Sequence, residues 1–299
     1  MTNHASTSKR RAPSSGRTMS SSPRFYSQAT SIGLAAPLIA ALVVGFLYPV
    51  ARLIALSFSG GTLSHYRRIF TEPLHLGVLA STVEVAAVVT VASLVLGFPI
   101  AYLMARLSRG KAIAIAACVF IPLWTSVLIR SYAWVVLLQR QGVINSLFIE
   151  TGIVDGPLKL IYSKGAVIVA MTHVLMPFMI LPIYSALRAL PPDYVRAARN
   201  LGAGPMRAFV EVTLPLSLPG VFAGSVMCFV LALGFYITPA LVGGPSSMLM
   251  ATLIGQQTTV LLDWPFAAAL STLLLTVTLL SVLLFRRALS RSKGLNSVY

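Results

Sequence analysis

Long apolar stretches separated by short polar segments dominate the chain. A helix needs about 20 predominantly apolar residues to cross the roughly 30 Å hydrocarbon layer of a bilayer. Six stretches meet this requirement, and they run approximately over residues 32–58, 77–104, 112–138, 165–187, 218–242 and 264–285. The third is the weakest, because Pro122 and Arg130 interrupt it. The pattern predicts an all-α integral membrane protein with six transmembrane helices.

The segments outside these stretches define the predicted domain organisation. Residues 1–30 are rich in serine and basic residues and contain no acid, which predicts a disordered tail. Residues 31–289 form the predicted transmembrane domain, and residues 290–299 form a second, short tail. The first apolar stretch is longer than the core of a signal peptide, typically about 7–15 residues, so we expect an uncleaved first span.

Composition and charge agree with a membrane protein. Hydrophobic residues make up 57% of the chain and charged residues only 10%, and the mean hydropathy is +0.84. A net charge of +16 would indicate nucleic-acid binding in a soluble protein. In a membrane protein, however, Lys and Arg concentrate in cytoplasmic segments. An amino terminus inside the cell places 16 of the 23 basic residues on the cytoplasmic side. We therefore expect both termini in the cytoplasm, contact with the lipid bilayer and no nucleic-acid partner.

One polar segment, DYVRAARNLGAGPMRAFVEVTLPL over residues 193–216, contrasts with its apolar surroundings. It is the largest loop on the predicted cytoplasmic side. Its first part, residues 193–201, is predicted to be a short helix, and residues 202–204 a turn, because glycine accepts positive φ angles. A second short helix is predicted to end near Val212, where Pro215 separates it from the next span. One face of the first helix is predicted to carry Tyr194, Ala197, Ala198 and Leu201.

Two interpretations of this helical elbow remain open. An amphipathic helix can rest on lipid headgroups, with its arginines bound to anionic lipid. The small residues at the bend favour a protein partner instead, because they bury little surface in lipid but permit another backbone to approach closely. These small residues are Ala197, Ala198, Gly202 and Gly204.

Two charged residues fall inside predicted spans. Glu84 in the second span and Arg130 in the third are each predicted to lie roughly 10–12 Å below the outer end of their helix, at about 1.5 Å per residue. Charges within a span usually face a cavity or a partner, so the two residues form a candidate ion pair. Such a pair acts either as a structural clamp between two helices or as part of a solute pathway.

Aromatic and acidic residues occupy the outer half of the predicted bundle. Together with Glu84 and Arg130, the candidate pathway residues are Tyr132, Trp134, Tyr236 and Asp263. Aromatic faces and a carboxylate suit an ammonium-rich solute. Aromatic residues at this height also form interfacial belts in membrane proteins generally, an alternative that applies most directly to Trp134. His173, in the fourth span, is expected to form a hydrogen bond with a neighbouring helix.

Patterns typical of catalysis or metal binding are missing from the sequence. It contains no H-E-x-x-H and no G-x-x-x-x-G-K-[ST] phosphate loop, and GGPSSM at residues 243–248 lacks the required lysine. We therefore predict no catalytic residue, no metal and no cofactor, and we expect another polypeptide to hydrolyse any ATP. A stand-alone, ion-coupled secondary transporter is the alternative function, although the two halves of the chain show no clear self-similarity.

The polar segment is similar to a known motif. It contains Ala197-Ala198, three residues, Gly202, nine residues, Val212, one residue and then Leu214-Pro215. This spacing resembles the EAA---G---------I-LP loop of permease subunits in bacterial ABC importers, in which the loop sits in a groove of a cytoplasmic ATPase subunit. Arg196 replaces the glutamate of the family. The resemblance implies an ATPase-coupling loop that includes Arg196, Ala197, Ala198, Gly202, Val212, Leu214 and Pro215.

Further segments resemble one branch of that family, the first permease of the polyamine (spermidine/putrescine) type. These segments are GFPIAYLMAR at residues 97–106, IPLWTSVLIRSYAWVVLLQRQGVIN at 121–145, MPFMILPIYSALRAL at 176–190 and DWPFAAALS at 263–271. The resemblance extends over about residues 32–289. It implies a bacterial inner-membrane permease that pairs with a second, homologous permease and with cytoplasmic ABC ATPase subunits. A periplasmic substrate-binding protein is expected to deliver the solute, a polyamine in this branch.

Overall fold

The computed structural model describes residues 28–59 and 63–295. The predicted first tail lies outside the described residues up to residue 27, and so do residues 296–299 of the second. Within the described ranges the structure is helical and contains no β-strand. The described chain divides into two units, one ending at Ala51 and the other starting at Arg52.

The described residues form fourteen α-helices. These are α1 (Gln28–Leu42), α2 (Tyr48–Ser57), α3 (Ser64–Thr71), α4 (Pro73–Arg106), α5 (Arg109–Phe120), α6 (Val127–Leu138), α7 (Val143–Glu150), α8 (Lys164–Ala189), α9 (Pro192–Asn200), α10 (Pro205–Ala208), α11 (Leu214–Leu233), α12 (Ile237–Val242), α13 (Met250–Thr259) and α14 (Trp264–Leu295). Two π-helical segments, Val43–Leu47 and Phe209–Thr213, and two 3-10 segments, Ile121–Trp124 and Pro245–Ser247, connect some of them.

Five helical stretches of the described chain are long and apolar enough to cross a membrane. They are Ala35–Ser57, Pro73–Arg106, Lys164–Ala189, Pro205–Leu233 and Trp264–Arg287. They coincide with five of the six predicted spans, although their ends differ. The fifth predicted span, residues 218–242, differs most, because the observed helix starts at Pro205 and ends at Leu233.

The third predicted span, residues 112–138, is not a continuous helix. The chain bends by 99° between the helical stretches Arg109–Trp124 and Val127–Glu150. Pro122 cannot donate to the helical ladder, which favours a break there. Ser126 then starts α6 by accepting a hydrogen bond at 3.2 Å from the second residue of the new helix. The described chain therefore has five continuous candidate spans, and a sixth only when the bent pair is counted as one.

The largest apolar core lies where α4, α8 and α11 pack against one another. Its fully buried side chains include Val89 of α4, Met179 of α8 and Cys228 of α11. Leu274 and Phe285 of α14 pack against its edge. This packing orients the end of α8, from which the chain continues into the polar segment predicted to couple to a partner.

Two glycines of α11 allow a close approach to α8. A Cβ atom at Gly220 would lie 2.6 Å from the carbonyl oxygen of Pro182, and one at Gly224 would lie 3.0 Å from that of Met179. Residues four apart share a helix face, and small residues at this spacing are typical of contacts between transmembrane helices. The G-x-x-x-G spacing is visible in the sequence, whereas its partner helix is not.

Candidate functional site

The polar loop, residues 193–216, bends at Gly202. This glycine has a φ of +87°, a conformation that strains most L-residues. Its amide donates a hydrogen bond to the carbonyl of Arg199 at 2.9 Å, and the amide of Ala203 donates to the carbonyl of Ala198 at 3.0 Å. These two bonds form a Schellman motif, which ends α9. The predicted glycine turn is therefore confirmed.

The second arm of the polar loop continues into a candidate span. Gly204, with an ordinary φ of −65°, caps α10, and Pro205 occupies its first position. The prediction that this helix ends near Val212, with Pro215 separating it from the next span, is wrong. The π-helical segment Phe209–Thr213 joins α10 to α11 without a break. A π turn changes the hydrogen-bond register, which accommodates the missing amide of Pro215.

Aromatic contacts anchor this second arm on α4. The ring of Phe209 lies edge-on to the rings of Tyr102 and Phe98, with centroid distances of 5.3 and 6.0 Å. Each such pair contributes about 0.5–1.5 kcal/mol beyond its buried area. Ala208 is also buried, whereas α9 contains no fully buried residue. The second arm is thus held against the bundle, and the first arm is more exposed.

Apolar side chains on both sides of the bend are exposed. Leu201 is 89% exposed, Met206 75% and Tyr194 55%. Ala197 is exposed and Ala198 half-buried. The face predicted from residue spacing therefore does not pack into the chain's own core. Several large exposed apolar side chains in one short loop are consistent with contact with another protein or with a membrane.

Ion pairs on the polar loop are local and exposed. Arg196 pairs with Asp193 at 3.2 Å, and Arg207 pairs with Glu211 at 2.9 Å. Exposed pairs of this kind contribute little stability. Arg196 is therefore available to exchange this contact for one with a partner. The remaining predicted loop residues lie in the second arm, where Val212 and Leu214 are half-buried and Pro215 is exposed.

The predicted ion pair between Glu84 and Arg130 is not formed. Glu84 instead accepts a hydrogen bond at 2.5 Å from Nζ of Lys164, the first residue of α8. The prediction assumed that the second span begins near residue 77, but α4 begins at Pro73. Glu84 consequently lies level with the start of α8, within reach of a lysine that belongs to a helix end.

Arg130 and Trp134 lie one turn apart on α6. The Nε atom of Arg130 is buried without a hydrogen-bond partner, and none of the ion pairs in the described chain includes this residue. Trp134 donates its indole N–H to Nδ1 of His173 at 3.3 Å, and the two rings meet edge to face. The prediction that His173 bonds to a neighbouring helix is confirmed. Trp134 therefore also serves as a link between α6 and α8.

The two candidate tyrosines remain accessible. Tyr132 is 60% exposed and Tyr236 is 45% exposed. The ring of Tyr236 rests on Gly255 of α13, where an added Cβ would lie only 2.5 Å from the ring. Glycine at this position is therefore what allows Tyr236 to adopt its present orientation.

Asp263 takes part in a cluster that ties α3 to the start of α14. Its Oδ2 pairs with Nη1 of Arg68 at 3.4 Å, and its Oδ1 accepts from the amide of Phe266 at 3.2 Å. The guanidinium of Arg68 also lies 4.2 Å from the ring centre of Phe266 and pairs with Glu72 at 3.2 Å. No local pattern links Arg68 to Asp263, because 195 residues separate them.

Three of the six candidate pathway residues bind different partners in the described structure. Glu84 contacts Lys164, Trp134 contacts His173, and Asp263 contacts Arg68. These three contacts join different pairs of segments: α4 with α8, α6 with α8, and α3 with the start of α14.

Known proteins resemble this chain over most of its length. The family model described as binding-protein-dependent transport system inner membrane component matches residues 87–293. The chain is 34% identical over 227 residues to the spermidine/putrescine transport system permease protein PotB of Escherichia coli (strain K12), which covers 76% of this chain and 82% of PotB. It is 35% identical over 221 residues to the inner membrane ABC transporter permease protein YdcU of the same strain, covering 70% of each.

A solved structure supports the fold independently. It is a bacterial alginate ABC transporter in complex with an alginate pentasaccharide-bound periplasmic protein. One of its chains matches with a TM-score of 0.68 at 19% identity, and the match covers 86% of this chain and 95% of the other. At this identity the likeness concerns the arrangement of the helices.

Proposed function

Because the chain belongs to the family of binding-protein-dependent transport system inner membrane components, we propose that it is the permease subunit of an ATP-driven ABC importer. The family match, residues 87–293, includes the whole polar loop and most of the α4, α8 and α11 core. In this proposal the chain forms the membrane pathway, and partner ATPase subunits hydrolyse ATP.

The geometry of the polar loop supports its proposed role in coupling to the ATPase. Its first arm presents exposed apolar residues, Leu201 above all, to a partner. Its second arm, from Pro205, runs without a break into a candidate span that ends at Leu233. A partner that displaces the loop therefore displaces a membrane helix as well.

Coupling then follows from a difference in affinity between two conformations. ATP binding closes the ATPase pair, and the closed pair favours one position of the polar loop over another. The attached span shifts with the loop, so the cavity alternates between outward and inward access. Arg196 carries the opposite charge to the glutamate of the family, so the ATPase groove meets a cation at this position.

We propose a polyamine as the solute, delivered by a periplasmic binding protein. PotB, a spermidine/putrescine permease by name, is 34% identical to this chain. The exposed rings of Tyr132 and Tyr236 offer faces for cation–π contact with ammonium groups. Glu84, Trp134 and Asp263 complete the proposed outer pathway. The guanidinium of Arg130, which takes part in none of the ion pairs in the described chain, repels a polycation, which limits binding there and favours release.

The proposed assembly contains a second, homologous permease, as membership of the family implies. The pathway then lies between the two permeases. The polar loop and both termini lie in the cytoplasm, in agreement with the distribution of Lys and Arg. The protein belongs to the inner membrane, as the family description and the apolar helices indicate.

Reconstitution tests this function. The chain is co-expressed with its sister permease, the ATPase and the binding protein, and the purified complex is placed in proteoliposomes. Uptake of labelled spermidine should require both ATP and the binding protein. Uptake driven by an ion gradient without any ATPase would instead support the alternative, a stand-alone secondary transporter, which the family membership does not favour.

Labelling tests the orientation separately. Cys118 is exposed and Cys228 is buried, so Cys118 is first replaced by serine. A cysteine introduced at Asn200 should react with a membrane-impermeant maleimide only in inverted vesicles. Reaction in intact cells would place the polar loop outside and remove it from any contact with a cytoplasmic ATPase.

A further inference from the structure

A cavity of about 380 Å³ lies between the ends of α4 and α8 and the inner side of α9. Four arginines line it, together with one tyrosine and one threonine that carry polar groups. These six residues are Tyr102, Arg106, Arg188, Arg196, Arg199 and Thr213. They come from four different segments of the chain, so the folded structure alone brings them together.

The cavity carries an excess of positive charge. Arg196 pairs with Asp193, but none of the ion pairs in the described chain includes Arg106, Arg188 or Arg199. Arg106 contacts the ring of Tyr102, with its Cζ atom 5.0 Å from the ring centre. Guanidinium groups that face a common space repel one another unless an anion lies between them.

Helix dipoles explain part of this arrangement. Arg106, Arg188 and Arg199 each lie in the last turn of a helix, where a cation offsets the negative end of the dipole. Each helix end contributes only about half a negative charge, which is too little to balance the arginines of the cavity. The dipoles also give no reason for a polar group that lacks a partner.

Thr213 carries this polar group without a partner. It is only 3% exposed, and its Oγ1 is buried without a hydrogen-bond partner in the described structure. Threonines in helices commonly donate to a carbonyl three or four residues earlier, as Thr82 and Thr90 do here. An unpaired buried hydroxyl costs about 1–3 kcal/mol. A ligand acceptor inside the cavity would pair with it.

We propose that this cavity binds a phosphate group of an anionic ligand. Arginine forks match phosphate oxygens with two parallel hydrogen bonds, and the hydroxyl of Thr213 donates a further one. The same cavity is lined by apolar residues, among them Leu187 and Val195, and it opens where two membrane helices end. These features suit the headgroup of an anionic phospholipid, and they also admit a free phosphate.

Occupancy has a mechanical consequence. Arg106 and Arg188 belong to the bundle, whereas Arg196 and Arg199 belong to α9, the exposed arm of the polar loop. A phosphate bound to both groups bridges the loop to the bundle. The bound ligand therefore stiffens the joint at Gly202 and sets how closely loop and bundle move together.

Native mass spectrometry of the full-length chain, released from dodecyl maltoside micelles, tests the proposal. Micelles contain either phosphatidylglycerol or phosphatidylcholine, and a parallel thermal-shift series contains inorganic phosphate or chloride at equal ionic strength. We expect retained phosphatidylglycerol, or a shift with phosphate, in the wild-type protein. The double variant Arg106→Gln/Arg188→Gln should lose affinity by about tenfold or more per arginine removed.

A matched control separates binding in the cavity from general attraction of the anionic ligand to exposed arginines. Arg207→Gln makes the same chemical change on an exposed arginine that does not line the cavity, and it should leave the affinity unchanged. Thr213→Val should raise the melting temperature without ligand, because an unpaired hydroxyl is removed, and should reduce the ligand-induced shift. The melting temperature of Thr213→Val, with and without ligand, still tests the proposal if the double variant does not fold.

The outcomes distinguish the two sources of the ligand. Retention of phosphatidylglycerol without a response to inorganic phosphate identifies a lipid headgroup, and the reverse result identifies a soluble phosphate. The proposal is overturned if neither probe binds the wild-type protein. It is also overturned if Arg207→Gln weakens binding as much as the double variant does.

Discussion

The joint at Gly202 allows a sharp test, because a neighbouring glycine provides a matched control. Gly202 has a φ of +87°, whereas Gly204 has a φ of −65°, and a Cβ atom at either position meets nothing within 4 Å. A threonine at each position therefore introduces the same side chain into open space. Only the backbone conformation that it must adopt differs.

The expected cost follows from that conformation. A left-handed conformation costs an L-residue about 1–2 kcal/mol, and a β-branched residue is among the least tolerated there. Gly202→Thr should accordingly reduce the population of the present loop geometry roughly five- to thirtyfold. Gly204→Thr should cost almost nothing, because threonine is a good helix cap and extended backbone is favoured before Pro205.

The assay compares ATP hydrolysis with solute uptake in proteoliposomes that contain the complete importer. Gly202→Thr should lower the number of solutes imported per ATP hydrolysed more than Gly204→Thr does, because both add a side chain at the bend but only the first strains the backbone. Gly202→Asn should recover part of the loss, because asparagine tolerates positive φ. Equal behaviour of the two threonine variants would show that the conformation at Gly202 has no part in coupling.

Three further predictions concern packing, charge and docking. Gly220→Ala should destabilise the bundle by about 1–3 kcal/mol, because the new Cβ would lie 2.6 Å from the carbonyl oxygen of Pro182; thermal unfolding in detergent measures this. A double-mutant cycle on Glu84 and Lys164 should give a coupling energy below about 1 kcal/mol, because both side chains are more than a third exposed. Leu201→Ser should weaken binding of the ATPase subunit roughly thirtyfold, the equivalent of about 2 kcal/mol of lost apolar burial, as measured by a pull-down titration.

Each of these predictions has its own control. Gly77→Ala in α4 adds the same methyl group where no atom lies within 4 Å, and equal destabilisation by both alanines would contradict the packing argument. A coupling energy of several kcal/mol between Glu84 and Lys164 would indicate a buried pair rather than an exposed one. Leu216→Ser changes another partly exposed leucine outside the bend, and an equal loss there would point to general damage instead of docking.

Local sequence patterns predict the polar loop well. Its first helix was expected at residues 193–201 and occurs at Pro192–Asn200, and the glycine turn follows as expected. Proline and glycine act on their own backbone, so their effects can be read without knowing the fold. The predicted break at Pro215 was wrong because the π-helical segment before this proline depends on how Phe209 packs against α4.

Contacts between distant segments were harder to predict. The partner of Glu84 depends on where α4 and α8 begin relative to each other, and these starts bring Lys164 within reach of it. Likewise, Pro122 marks an interruption in the third predicted span, but the angle of 99° depends on tertiary packing. No local pattern predicts that four arginines gather around Thr213, because only the folded bundle brings them together.

The unbroken helix from Pro205 to Leu233 has a further consequence. It is 29 residues long, or about 43 Å at about 1.5 Å per residue. Gly220, where an added Cβ would meet the backbone of α8, lies near the middle of that length. The half beyond Gly220 is packed in the core through Cys228 and Phe229, so a displacement at Met206 reaches that core along one continuous helix. In the proposed transport cycle, the loop and the core of the bundle would therefore move together.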